Sequence, residues 1–273
     1  MWGWEGVLLQ RDFASESPLS ARQTILQIFD ARPGALVSAA ELARVAAVLD
    51  IAGPAVRVAL RRLVAEGALI SPERGLYAAG RRREALQRLW SDWRRVENRL
   101  APWTGRWRVI FTDQVRKANS SAHRAHERAL HVGGYSPVDE MAWARTDNLV
   151  IAHEDQIEEL RDAGLDPSCG AALCELDAVA TKRFVRACRP DDLTENYKRA
   201  AAELIEEERR LCDAPRAEAM RAAFHVGRGA IRMVVFDPLL PDKLIDTEAR
   251  AAFFAAARSY VEKGYCAWRG END

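Results

Sequence analysis

Arg57, Arg61 and Arg62 lie in a stretch, Gly53 to Gly67, where apolar and cationic residues repeat with helical spacing. At about 100° per residue, Val56, Ala59, Leu60, Leu63 and Val64 share one face. Arg57, Val58, Arg61 and Ala65 fall opposite, with Arg62 on the shoulder. Pro54 suits the first helical position, whose N–H has no intrahelical acceptor, and Gly67 suits a left-handed cap. Such a helix can pack its apolar back on a domain while guanidinium groups reach phosphate oxygens or guanine edges. The pattern also fits an ordinary amphipathic surface helix, so the flanking elements must decide.

Before it, Ser20-Ala21-Arg22 opens a periodic segment with Ile25, Ile28 and Phe29 inward, broken at Ala31-Arg32-Pro33-Gly34. Ser38-Ala39-Ala40-Glu41 has the form of a capping box and starts a second helix carrying Leu42, Val45, Ala46 and Leu49. Asp50 to Gly53 ends it, so helix, helix, turn and helix follow in helix-turn-helix order. Ala68-Leu69-Ile70 and Leu76-Tyr77-Ala78-Ala79 flank a turn containing Pro72 and Gly75, the signature of a β-hairpin. A hairpin in this place is a wing, and Arg74 at its tip can meet a phosphate. The expected DNA-contact set is Ser38, Arg57, Arg61, Arg62 and Arg74; the rival reading is a winged helix used for protein contacts. Arg81-Arg82-Arg83 opens a further helix running to Leu100, its arginines either along the DNA backbone or simply solvated. These readings divide the chain into a leader (1–20), a winged helix (21–80) and a connecting helix with linker (81–102).

The 273-residue chain is 48% hydrophobic and 29% charged, the composition of a globular protein with room for two or three domains. No run approaches a membrane-spanning length of apolar residues, and the amino terminus has neither a basic region nor a small-residue cleavage site. The five cysteines form no CxxC pair, which fits a reducing cytoplasm. The net charge of +0 conceals an uneven distribution: between positions 51 and 110, thirteen arginines face five acids, +8 in total, and the rest carries −8. A localised basic region points to an anionic partner, with nucleic acid the usual one.

Farther on, Trp103-Thr104-Gly105-Arg106-Trp107-Arg108 is followed at a distance by Phe224-His225-Val226-Gly227-Arg228 and Phe236-Asp237-Pro238-Leu239-Leu240-Pro241. With the winged helix, this combination resembles the PaaX family of bacterial transcriptional repressors, from about Ala21 to about Tyr260. Independently, Trp107, Val109 and Phe111 alternate as in a strand. Ser120 to His131 reads as a helix, Tyr135–Val138 and Met141–Arg145 as a hairpin, His153 to Asp162 as a helix capped by Gly164, and Leu173, Leu176 and Val179 as a last strand. The order βαββαβ is ferredoxin-like, placing such a domain at 103–180 before a mainly helical domain at 181–273. The fold class expected is therefore α+β.

The resemblance implies the same central fold, used for dimerisation and related to small CRISPR-associated nucleases. That relation raises a metal-dependent nuclease centred on Asp113, at the end of the first strand; no second metal ligand is evident, and a turn aspartate is preferred. His123, His126 and His131 lack an HExxH pattern and read as a solvated or dimer-contact face, and Cys169 and Cys174 as structural thiols. In the last domain, helices are expected from Glu195 to Cys212, near Met220–Phe224, and from Thr247 to Lys263, the last ended by Gly264. His225, Arg228 and Arg232 could hold an anionic effector; alternatively Arg228 and Arg232 pair with Asp237 or Asp242 to fix the loop. The function implied is a cytoplasmic, homodimeric, one-component repressor of an aromatic-catabolism operon. It would bind double-stranded operator DNA, use no cofactor or metal, and be released by an effector resembling an acyl- or aryl-coenzyme A thioester.

Overall fold

The computed structural model describes residues 20–112 and 121–269. The amino-terminal unit comprises α1 (Ala21–Ala31), β1 (Val37–Ser38), α2 (Ala39–Val48), α3 (Gly53–Ala65), β2 (Leu69–Ile70) and β3 (Leu76–Ala79). Ile25, Ile28, Phe29, Leu42, Val56, Leu60 and Leu63 form its core, so the inward faces expected of all three helices are the buried ones. Val64 departs from that expectation and is 37% exposed. Gly53, not Pro54, is the first residue of α3. Gly67 takes the left-handed conformation (φ 68°), and the Ala68 amide returns to the Leu63 carbonyl at 2.9 Å. The hairpin pairs Leu69 with Ala79 and Ile70 with Ala78. A strand absent from the sequence reading, β1, pairs with the other side of β3, giving the sheet order β1-β3-β2. Gly80 closes the unit where a Cβ would lie 2.1 Å from the Gly67 carbonyl oxygen, so no side chain fits there.

The connector is not one helix. α4 (Arg81–Trp90) ends ten residues before Leu100, and a 3-10 segment (Trp93–Arg99) follows with a kink at Arg95. It leads into a four-stranded antiparallel sheet of order β5-β6-β4-β7, with β4 (Trp107–Phe111), β5 (Ser136–Pro137), β6 (Ala142–Thr146) and β7 (Gly170–Cys174). α5 (Ser121–Val132) and α6 (His153–Ala163) supply the helices of the expected βαββαβ order. The last strand lies earlier than the Leu173–Val179 spacing suggests: Asp177 caps a new helix, α7 (Ala178–Cys188), its carboxylate accepting from the Ala180 amide at 2.7 Å. α8 (Pro190–Asp213) begins five residues before Glu195 because Pro190 occupies a first-turn position.

Alternation along β4 divides the packing. Ile110 joins Leu130, Tyr135, Ile157 and Leu160 beneath α5 and α6. Trp107 and Val109 face the other way, into a core shared with α7, α8, α9 (Arg216–Val235) and α10 (Thr247–Arg269). α9 is one continuous helix that extends well beyond the expected Met220–Phe224 segment at both ends. α10 runs through Gly264 to Arg269, because that glycine serves close packing and not termination: a Cβ there would approach the Ala223 side chain of α9 to 2.9 Å.

The loop Asp237–Pro241 is held differently from the expected arginine pairing. The buried Asp237 carboxylate accepts from the Tyr197 hydroxyl at 2.6 Å and the Leu239 amide at 2.7 Å. Arg250 donates to the Leu240 carbonyl at 2.6 Å and Asn148 to that of Leu239 at 2.7 Å. Leu239 itself has φ 53°, a left-handed residue stabilised by these bonds.

Candidate nucleic-acid interface

The site is built on α3, whose apolar back is fixed in the amino-terminal core and whose arginine-bearing front is open. Arg57, Arg61 and Arg62 are exposed, and none forms a hydrogen bond or ion pair among the described residues. A guanidinium carries five N–H donors in a planar fork, so each is available to an external phosphate or base edge. At the hairpin tip, Ser71 Oγ donates to the Glu73 carbonyl at 2.9 Å and Gly75 takes φ 80°, leaving Arg74 exposed and equally free of partners among the described residues. The turn before α3 is shaped by Asp50 (φ 57°) and by the Ile51 amide bonding back to the Ala46 carbonyl at 2.9 Å.

Ser38 has a defined local task. Its Oγ accepts from the Glu41 amide at 3.1 Å, capping α2. The reciprocal half of the expected capping box is missing, because the Glu41 carboxylate accepts from Arg32 at 2.6 Å instead. The full box occurs one helix earlier, between Ser20 and Gln23. Sequence reasoning passed over Arg44, an exposed cation on α2 with no partner among the described residues. Its only signal was its place opposite Leu42 and Ala46 on the helix.

The three arginines that open α4 are not equivalent. Arg81 and Arg82 are exposed. Arg83 turns inward, donating to the Asp30 carboxylate at 2.5 Å and the Leu26 carbonyl at 2.9 Å, while Gln87 donates to Asp30 at 3.2 Å. Burial pushes the Asp30 carboxyl up against the pull of Arg83, and pulls the Arg83 guanidinium down. This pair fastens the connector to α1.

α9 makes the second attachment. Phe224 packs against the amino-terminal core, and Arg221 donates to the Val48 carbonyl at 3.4 Å. With its amide oxygen facing α9, Gln27 accepts from Arg228 Nε at 2.9 Å and Nη1 at 3.2 Å. His225 is half-buried beside Phe224, and burial lowers its pKa. Arg232 lies 5.8 Å from the Phe236 ring centre, and burial lowers its pKa. His225, Arg228 and Arg232 therefore lie along a helix that joins the amino-terminal unit to the rest of the molecule.

Asp113 lies outside the described residues. The α5 histidines do not form a solvated face: His126 and His131 are buried. His126 Nδ1 accepts from the Asp166 amide at 3.2 Å, and His131 packs 4.8 Å from the Trp143 ring, where burial pulls its pKa down to about 4. No group of three or more His, Cys, Asp or Glu residues among the described residues is placed to hold a metal ion. The cysteines form no disulfide among the described residues, and no described helix is long and apolar enough to cross a membrane.

Residues 20–80 match the family model described as PaaX-like protein. Over this span the amino-terminal unit is similar to that family. The matched span holds every proposed DNA contact of the PaaX-like unit, from Ser38 to Arg74. Among curated proteins there is no match. Among solved structures, the uncharacterized protein Rv0674 from Mycobacterium tuberculosis is similar, with 22% identity and a TM-score of 0.52 over 91% of this chain and 99% of that one. That likeness concerns the fold, and it extends beyond the PaaX-like unit through the sheet and the carboxy-terminal helices.

Proposed function

We propose that this protein is a one-component transcriptional repressor, a cytoplasmic homodimer whose two winged helices bind a pseudo-palindromic operator in duplex DNA. The observation that carries this reading is the open face of α3, where Arg57, Arg61 and Arg62 are exposed and unpartnered among the described residues, on a helix whose opposite face is locked in a core. Arg74 on the wing extends the same basic surface toward the backbone. The PaaX-like match of this unit supports a role in transcriptional regulation. The sheet order β5-β6-β4-β7 supports a ferredoxin-like reading of the central unit, for which the resemblance implies dimerisation.

The effector implied by the resemblance is an acyl- or aryl-coenzyme A thioester, with His225, Arg228 and Arg232 as its proposed contacts. Their place on α9, beside Gln27 of α1, supports a route from effector to reading unit. Such a ligand acts only by binding one dimer arrangement more tightly than another. The test of DNA reading is a gel shift at fixed salt with the protein's own upstream DNA. Arg57→Ala with Arg61→Ala weakens binding by about 1–3 kcal/mol for each guanidinium that reads a base edge. Unchanged affinity assigns the unit to protein contacts instead.

A further inference from the structure

A cleft of about 380 Å3 opens beside the connector. Sites for small organic ligands run from about 300 to 1,000 Å3, and the best are apolar with a few convergent polar groups. Trp90, Trp93 and Val96 of the connector form one wall, Val150 and Ile151 ahead of α6 the other, and Val235 at the end of α9 contributes to the lining. Two cations line the cleft: Arg88 is exposed and lies 3.6 Å from Asp162, and Arg99 brings the charge not committed to an ion pair. Its Nη1 donates to the Leu89 carbonyl at 3.0 Å, and it forms no ion pair among the described residues. Burial lowers its pKa while the charge of Glu159 opposes that shift. Asp92 and Glu159 also line the cleft and balance Arg88 and Arg99, so the lining has no net positive charge to hold a ligand carrying several phosphates.

We propose that this cleft binds a small apolar monocarboxylate, its carboxylate on Arg99 and its hydrocarbon against Trp90, Trp93 and Val150. A carboxylate matches the guanidinium fork, and a flat or chain-like hydrocarbon fills a wall of indole rings. Occupancy reports to the reading unit through α4. Trp90 ends that helix at the cleft, and Arg83 and Gln87 hold Asp30 of α1. Seven residues separate Arg83 from Trp90, roughly 10 Å of helix. The regulatory sense rests on the repressor reading; the binding does not.

The test is calorimetric titration of the full chain, without DNA, using benzoate, 3-phenylpropanoate, octanoate, benzoyl-coenzyme A and, as the opposite charge, benzylamine. At least one carboxylate binds saturably with one site per chain. Arg99→Gln weakens it at least tenfold, the loss of one charged hydrogen bond. Val150→Trp, at a position 68% exposed and so tolerant of bulk, closes the cleft and removes binding. No saturable heat up to about 10 mM, a constant near the weak limit of specific binding, overturns the proposal. So does preference for benzylamine, binding only as the coenzyme A thioester, or affinity unaltered in both variants. A carboxylate that binds without changing affinity for duplex DNA overturns the route through α4. Failure of DNA binding altogether strikes the repressor reading and leaves the calorimetric result standing.

Discussion

Arg57, Arg61 and Arg62 stand on an open helix face without partners among the described residues, whereas Arg108 and Arg145, each 2% exposed, lie within the central sheet fully engaged. Arg108 donates to Asp147 at 2.7 Å, Gln156 at 3.0 Å and the Ile151 carbonyl at 2.8 Å. Arg145 donates to the Gly133 carbonyl at 2.5 Å, with burial drawing its pKa down to about 9. A buried cation is tolerated only when its donors are satisfied. An exposed one keeps its hydrogen-bonding capacity for something outside the chain. The same side chain thus serves internal order in one region and stands available to an outside partner in the other, and the number of internal partners separates the two.

The largest effect expected is on the sheet. Arg108→Ala leaves the Asp147 carboxylate with the half-exposed Arg106 alone and Gln156 with the Tyr135 hydroxyl alone, and costs about 3–5 kcal/mol in denaturant unfolding. A loss below about 1 kcal/mol would erase the distinction between the two sets of arginines. Next comes His131, whose folded pKa of about 4 lies below its unfolded value of 6.5. The unfolded chain therefore binds the proton first, so stability is complete above pH 6.5 and is lost as pH falls toward 4. The total approaches roughly 3 kcal/mol. His131→Phe, which keeps the ring against Trp143, flattens that part of the pH profile of melting. Gly80→Ala tests the amino-terminal frame alone. Its Cβ meets the Gly67 carbonyl, and the repacking costs about 1–3 kcal/mol. Smallest of all, Arg57→Ala with Arg61→Ala changes unfolding by no more than about 0.5 kcal/mol, since nothing inside the chain loses a partner. A larger loss would mean that these arginines hold the fold.

The amino-terminal unit was legible because its signals are local: the 3.6-residue apolar rhythm, Gly67 past a helix end, and Pro72 and Gly75 between two short strands. The central strands and helices were legible for the same reason. The two-residue β1 has no pattern of its own and exists only through its pairing with β3. α7 was hidden because Leu173, Leu176 and Val179 suggest continued strand, while the deciding signal is the cap at Asp177. Arg83 could not be told from Arg81 and Arg82, since its partner Asp30 lies 53 residues away in sequence. A still longer separation hid the tie between Gln27 and Arg228. Gly264 reads as a helix end in one dimension and as a helix crossing in three. Of the candidate site, the exposed arginines of α3 and Arg74 were visible in advance; Arg44 and the cleft at Arg99 depend on tertiary placement.

Ser38 ends β1 and caps α2, so the small amino-terminal sheet and α2 share a single residue as their joint. A chimera that takes α3 from a relative keeps this frame. One that takes the hairpin alone separates β3 from the strand that sets its register, Val37 opposite Tyr77 and Ser38 opposite Leu76. The smallest transplantable unit therefore begins upstream of Val37 and ends at Gly80, and grafts drawn inside those limits should misfold at the hairpin first.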